Sequence, residues 1–240
     1  MARMQSYLGS RLLMITQSKR NMAELKGLLF DVDGTLVDNL AYHFAAFDEY
    51  AKREGFTLLE PMSLKMNGMH SNQIFPMMVG DKVVAEYGLD RLNREKEEVY
   101  REMYHDKVEP IAGLIEFLKA AKAAGVKCAL GSSGCRENVN MIIDRLGIAE
   151  YVDASISGSD VTHGKPHPEI FTKAHEALGL KAEECIVVED AVNGILAGVA
   201  AGCKCLAITT TATAEELTKA GALMAAADYT TVTIEALQNL

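Results

Sequence analysis

The sequence lacks a surplus of positive charge, paired cysteines and any long apolar run. Lysines and arginines number 24 against 33 aspartates and glutamates, giving a formal net charge of -9. Nucleic acids and anionic membranes are bound by basic surfaces, so we expect neither as a partner. The five cysteines form no CxxC pair and no zinc-ligand spacing. This usage is typical of a reducing compartment and predicts a cytoplasmic protein.

The beginning of the sequence gives no membrane-span signal. Residues 1–22 contain apolar stretches, but Arg11 interrupts them and Lys19 and Arg20 follow. We therefore expect an N-terminal extension over 1–22. The 240 residues are enough for one sizeable domain that carries an insertion.

Short apolar runs alternate with helical patterns along most of the chain. Strands are predicted where such runs end in polar residues or threonines, at 28–30, 126–130, 185–188 and 203–208. Amphipathic helices are predicted over 111–124, 136–146, 168–178 and 193–201. This alternation predicts an α/β fold, a Rossmann-like, doubly wound parallel sheet with helices on both faces.

One segment does not follow the alternation. Residues 39–109 are rich in helix formers and contain little that predicts a strand. We predict an all-helical domain inserted into a core that consists of residues 23–38 and 110–240.

Acidic side chains follow two of the predicted strands. Asp31 and Asp33 come directly after the first strand, and Glu189 and Asp190 follow the third. The carboxyl ends of parallel strands lie at one edge of a sheet, so these groups are expected to converge there. Carboxylates gathered at one place repel each other unless a cation lies among them, and hard oxygen ligands suit Mg²⁺. The sequence therefore predicts a magnesium site.

A cation at this edge would allow a phosphoryl group to approach a carboxylate. Asp31 is then placed to attack phosphorus, and Asp33 to protonate the leaving oxygen and later to deprotonate water. The remaining phosphate oxygens need donors, for which the candidates are the Ser132 hydroxyl with nearby backbone amides and Lys165 between Gly164 and Pro166.

Four motifs occur in a fixed order over about two hundred residues. They are Asp31-Val-Asp-Gly-Thr35, Gly131-Ser-Ser133, Gly164-Lys-Pro166 and Val188-Glu-Asp-Ala-Val-Asn-Gly194. Together they resemble the haloacid dehalogenase superfamily, and the resemblance covers the chain from Leu25 onward. It implies that the helical insertion is a cap that closes over the active site.

The resemblance also implies roles for individual residues. Asp31 would be the nucleophile and Asp33 the general acid/base, while Ser132 and Lys165 would bind phosphate. The implied metal ligands are the Asp31 carboxylate, the Asp33 backbone carbonyl and Asp190, with Glu189 as a further candidate.

Within this superfamily, the acid at position 33 supports phosphate-ester chemistry, since the dehalogenase and phosphonatase branches lack it. Sugar-phosphate phosphatases and β-phosphoglucomutase-like mutases then compete, and His43 and Lys96 match cap positions found in both. The mutase loop carries an arginine three residues after a glycine, where this chain has Ser71. The substrate or cap contacts that we expect are His43, His70, Asn72, Lys96 and Ser133.

The sequence thus predicts a Mg²⁺-dependent phosphatase of small phosphorylated metabolites, most simply sugar phosphates. The Gly68-x-His70-x-Asn72 loop resembles that of broad-range sugar-phosphate phosphatases, which favours this interpretation over a hexose-phosphate mutase. A protein of another class, a non-catalytic regulator that binds a phosphometabolite, is disfavoured because Asp31 and Lys165 are both present. We expect a monomer or a weak oligomer.

Overall fold

The computed structural model describes residues 24–60 and 71–240. Its centre is one parallel sheet of six strands in the order β3-β2-β1-β4-β5-β6. The strands are β1 (Gly27–Phe30), β2 (Lys127–Gly131), β3 (Ala154–Ile156), β4 (Cys185–Glu189), β5 (Lys204–Ile208) and β6 (Met224–Ala226). The four predicted strands are present, which confirms the predicted parallel sheet.

Helices connect the strands and cover both faces of the sheet. Those between β1 and β2 are α1 (Leu40–Glu54), α2 (Ser71–Tyr87), α3 (Leu89–Tyr104) and α4 (Leu114–Ala123), with a 3-10 turn at His105–Lys107. The later ones are α5 (Arg136–Leu146), α6 (Glu169–Ala177), α7 (Val192–Ala200), α8 (Ala214–Ala220) and α9 (Ile234–Gln238). The predicted helices correspond to α4, α5, α6 and α7.

The central strand shows why helices cover both faces. Successive side chains of a strand point to opposite sides. Leu28 and Phe30 pack into the larger of two apolar clusters, and Leu29 packs into the other. All three side chains are fully buried. A strand that is apolar at every position therefore needs a helical layer on each side, as the doubly wound fold supplies.

Two strands were missed by the sequence analysis. β3 and β6 are three residues long and lie at the two edges of the sheet, where their residues are only half-buried. Such short segments carry no periodicity, so only their pairing with β2 and β5 defines them.

The inserted helices α1, α2 and α3, called the cap below, follow β1 directly. Their common interior is aromatic, with Phe47 and Phe75 in contact at 5.3 Å between ring centroids. α2 bends at Gly80, where φ is 81° and the helix is interrupted. The entry to and exit from the cap meet at one point, because the amide of Ile111 donates to the carbonyl of Leu36 at 2.9 Å. The predicted domain borders remain a prediction.

The strand order creates a crevice beside β1. The chain runs from β1 outward to β2 and β3, then crosses back to β4 on the other side of β1. Ligands bind at such reversal points, outside the carboxyl ends of the strands. Asp31 follows β1 and Asp190 follows β4, so the fold places both at this crevice. Among the helices described, none is both long and apolar enough to cross a membrane.

Candidate active site

A buried lysine and three carboxylates meet at the ends of β1 and β4. Nζ of Lys165 lies 2.5 Å from Oδ1 of Asp31 and 2.7 Å from Oε1 of Glu189. The amide of Asp31 donates to the carbonyl of Val188 at 2.9 Å, which extends the pairing of the two strands by one residue. Lys165, Asp31, Glu189 and Asp190 are 1–6% exposed. The sheet thus brings together residues that are up to 159 positions apart in the sequence.

A tight turn after β1 allows Asp190 to approach the first motif. Gly34 adopts φ +82°, and a side chain there would overlap the Asp190 carboxylate. The hydroxyl of Thr35 donates to Asp190 at 3.3 Å, and the hydroxyl of Thr211 donates to the other oxygen. Asp190 is therefore oriented from two sides by hydroxyl groups.

The charge of this cluster is unbalanced. Asp31, Glu189 and Asp190 each present an oxygen within 4.8 Å of the others. The ammonium group of Lys165 is hydrogen-bonded to Asp31 and to Glu189. Burial raises the pKa of Asp31 to about 8, because Lys165 offsets only part of the desolvation and of the charge of Glu189 and Asp33. Burial and Glu189 likewise raise the pKa of Asp190. A buried oxygen set with excess negative charge fits a divalent cation.

Both carboxylate oxygens of Glu189 accept hydrogen bonds from other groups of the protein. Its Oε2 accepts the amides of Asp190 at 2.8 Å and Ala191 at 2.7 Å, and its Oε1 accepts from Lys165. It thereby fixes the backbone that leads into α7. Its role as a metal ligand remains a prediction.

Gly194 is required by the position of Glu189. It lies within α7, where replacing glycine by alanine would ordinarily stabilise the helix by about 1 kcal/mol. A Cβ atom at this position would overlap the Glu189 carboxylate. We therefore expect Gly194→Ala to lower the free energy of unfolding by about 1–3 kcal/mol, measured by urea denaturation. Leu196→Ala, on an exposed side of the same helix, is the control. A Gly194→Ala variant as stable as the wild type would contradict the close packing.

The second acid of the first motif faces the cap. Oδ1 of Asp33 accepts from Nδ2 of Asn39 at 2.5 Å and lies 3.4 Å from Nε2 of His43. The His43 ring stacks on Tyr100 at 3.8 Å between centroids, and its Nδ1 lies 3.3 Å from Nζ of Lys96. Burial acts to raise the pKa of Asp33, but the hydrogen bonds and charges of these partners outweigh it and lower the pKa. His43 and Lys96 thus lie next to the proposed acid/base.

The loop after β2 lies beside the same carboxylate. Ser132 is fully buried, and its Oγ accepts the amide of Gly134 at 3.0 Å. A Cβ atom on Gly134 would lie 3.4 Å from Oδ2 of Asp33, so the loop and the acid are adjacent. Ser133 is half-buried in this loop.

Two expected cap contacts are not placed by the structure. His70 lies outside the described residues, as does most of its loop. The backbone of Asn72 belongs to the first turn of α2, and its side chain is not described. Their roles remain predictions.

Sequence reasoning missed several residues of the site. Asn39 and Tyr100 border Asp33 and His43, and Thr211 binds Asp190. Tyr100 had a signal, because it follows Lys96 by four residues and so shares its helix face. Asn39 reaches Asp33, and Thr211 reaches Asp190, only through folding, and no local pattern marks either residue.

The chain is similar to known proteins in both sequence and fold. A family model described as haloacid dehalogenase-like hydrolase matches residues 28–208, more than half of the chain. The chain belongs to this family. The class of enzyme predicted from the four motifs, together with the fold, is therefore confirmed.

Several relatives carry the names of phosphatases. Fructose-1-phosphate phosphatase YqaB of Escherichia coli is 31% identical over 176 residues, which cover 73% of this chain and 92% of the relative. Hexitol phosphatase A of the same organism is 28% identical over 208 residues, 87% of this chain and 94% of the relative. A β-phosphoglucomutase from Clostridium difficile has the same fold, with a TM-score of 0.74, 22% identity and coverage of 90% and 96%.

Proposed function

We propose that the protein is a Mg²⁺-dependent phosphatase that hydrolyses small phosphomonoesters, most simply sugar phosphates, through a phosphoaspartate on Asp31. The observation that carries the proposal is the buried cluster of Lys165 with three carboxylates at the ends of β1 and β4. The names of the relatives support the substrate class. In this proposal the metal is held by carboxylates of Asp31, Asp190 and Glu189 and by the Asp33 carbonyl, where it would neutralise the charge of the transferred phosphoryl group.

The first half-reaction uses the two acids of the first motif in different roles. A carboxylate oxygen of Asp31 attacks phosphorus, and the bond between phosphorus and the alcohol oxygen breaks. Asp33 gives its proton to that oxygen, so the alcohol leaves neutral. The arriving phosphate is an anion, which favours the protonated form of Asp33 as it binds. Lys165, Ser132 and the amides of its loop hold the non-bridging oxygens of the transferred phosphoryl group.

The second half-reaction restores the enzyme. Asp33, now ionised, removes a proton from water, and the water oxygen attacks the phosphorus of the acyl phosphate. The bond from phosphorus to Asp31 breaks, which releases inorganic phosphate and regenerates the Asp31 carboxylate. The cap excludes other water while the ester is bound.

A panel of sugar phosphates tests the proposal. With Mg²⁺, we expect inorganic phosphate to be released from several of them, because neither half-reaction requires a specific leaving group. Chelation with EDTA should abolish the release, and added Mg²⁺ should restore it. The measurement follows free phosphate by a colorimetric assay.

The same panel distinguishes the rival functions. β-Glucose 1-phosphate with a bisphosphate primer would yield glucose 6-phosphate with little free phosphate if the protein were a mutase. The contact of His43 with Asp33 is compatible with either activity. Binding of the esters without turnover in the presence of Mg²⁺ would indicate a non-catalytic regulator instead.

We also propose a cytoplasmic location and no nucleic-acid or membrane partner. The net charge of -9 and five cysteines that are all free support this. The partner is then the small phosphorylated substrate, and the expected oligomeric state is a monomer or weak oligomer.

A further inference from the structure

A chain of polar contacts runs from the core into the cap and back to the core. It begins at Asp33, passes through His43 and Lys96, and continues to Glu97, whose Oε1 lies 2.6 Å from Nζ of Lys96. It ends at Asn138, whose Nδ2 donates to Oε2 of Glu97 at 2.6 Å. Both ends of the chain therefore belong to core elements, and its middle belongs to the cap.

Asn138 is held at both ends of its amide. Its Oδ1 accepts from Nη1 of Arg101 at 2.8 Å, while its Nδ2 donates to Glu97. Arg101 and Glu97 lie one turn apart on α3, and Asn138 lies in the first turn of α5. Asn138 and Glu97 are 3% and 8% exposed. A single core amide therefore bonds two charged residues of the cap helix.

The bond from Asn138 to Glu97 affects a second buried charge of α3, that of Lys96. Lys96 is 3% exposed, so its ammonium group requires partners in the protein. It lies 4.5 Å from the Phe47 ring centroid, close to His43, and pairs with Glu97. Without Asn138, the buried Glu97 carboxylate loses its second partner and is free to draw Lys96 away from His43. Small displacements near a reacting group can cost about 10²-fold in rate.

We propose that Asn138 is a positioning residue for the acid/base, acting through Glu97, Lys96 and His43 on Asp33. The proposal rests on the proposed phosphatase function. It concerns proton transfer to the leaving group, and so it predicts a dependence on leaving-group chemistry. A sugar alkoxide needs the proton of Asp33, whereas p-nitrophenolate leaves readily without one.

The test compares Asn138→Ala with the wild type on a hexose phosphate and on p-nitrophenyl phosphate. We expect kcat/KM for the hexose phosphate to fall about 10- to 100-fold, mainly through kcat, and that for p-nitrophenyl phosphate to fall less than about threefold. Glu97→Gln should reproduce this selectivity, and in a Glu97→Gln background Asn138→Ala should add little, since the two act through one contact. Asn140→Ala, exposed on the same helix, is the matched control.

The outcomes separate the two proposals. Equal losses on both substrates, or independent effects of Asn138→Ala and Glu97→Gln, would overturn the positioning role and leave the phosphatase intact. If Asn138→Ala fails to fold, Glu97→Gln alone decides by the ratio of its losses on the two esters. A wild-type protein that releases phosphate from neither ester overturns the proposed function, and with it this inference.

Discussion

Replacing Asp31 by asparagine is expected to lower kcat/KM for every phosphate ester by about 10⁴-fold or more, because the attacking oxygen of the proposed covalent mechanism is lost. Asparagine keeps the shape of the side chain and removes one of three crowded negative charges. Burial already disfavours the ionised form of Asp31, so the variant should fold at least as well in the absence of metal. Steady-state kinetics on a sugar phosphate and a denaturation curve measure the two effects.

Asp48→Asn, on an exposed position of α1, is the control for the same chemical change. The wild type, quenched during turnover of a phosphate ester, should carry an acid-stable increment of one phosphoryl mass on the peptide that contains Asp31. Full activity in Asp31→Asn would exclude the covalent mechanism, and an increment on a different peptide would reassign the nucleophile.

Replacing Lys165 by methionine is expected to reduce both stability and activity. The side chain is 1% exposed, and its loss removes the ammonium group that pairs with the buried Asp31 and Glu189. Breaking one side of a buried ion pair costs about 3–5 kcal/mol in the free energy of unfolding. Phosphatase activity should fall by about 10²–10³-fold, since the proposed donor to the transferred phosphoryl group is also removed. Urea denaturation and steady-state kinetics measure the two losses.

Mg²⁺ should restore part of the lost stability of Lys165→Met, because a ligand that binds only the folded state stabilises it by mass action. The gain should exceed that of the wild type, in which Lys165 already neutralises part of the cluster. Lys119→Met, at an exposed position of α4, controls for the loss of a lysine. A Lys165→Met variant with wild-type stability in EDTA would show that Lys165 does not balance these carboxylates.

The positions of the acids in the core were predictable, because residues that directly follow parallel strands lie at the same edge of the sheet. Asp31 and Asp190 each follow a short apolar run, and parallel pairing places the ends of such runs at one edge. Knowing that β1 and β4 are neighbours was sufficient to bring these acids together. The position of Lys165 could not be predicted in this way, since it lies on a loop. Only its place among the four ordered motifs indicated a role.

The cap side of the site was less predictable. His43 and Lys96 were singled out through a resemblance, but their contact depends on how α1 packs against α3, which no periodicity determines. The buried face of α3 carries Lys96 and Glu97 among Leu92, Val99 and Tyr100. Two charges within an apolar stripe violate the usual pattern, and such violations often mark functional positions.

The hydrogen bond between Ile111 and Leu36 makes the cap a modular insertion. The entry and the exit of the cap meet at that bond. For the core, the inserted segment is therefore equivalent to a loop whose two ends are held together. The entropic cost of closing a loop grows only slowly with its length, so insertions of different size are tolerated at such a point. A lineage can therefore exchange or enlarge the cap while β1, β4 and the carboxylates that follow them stay in place.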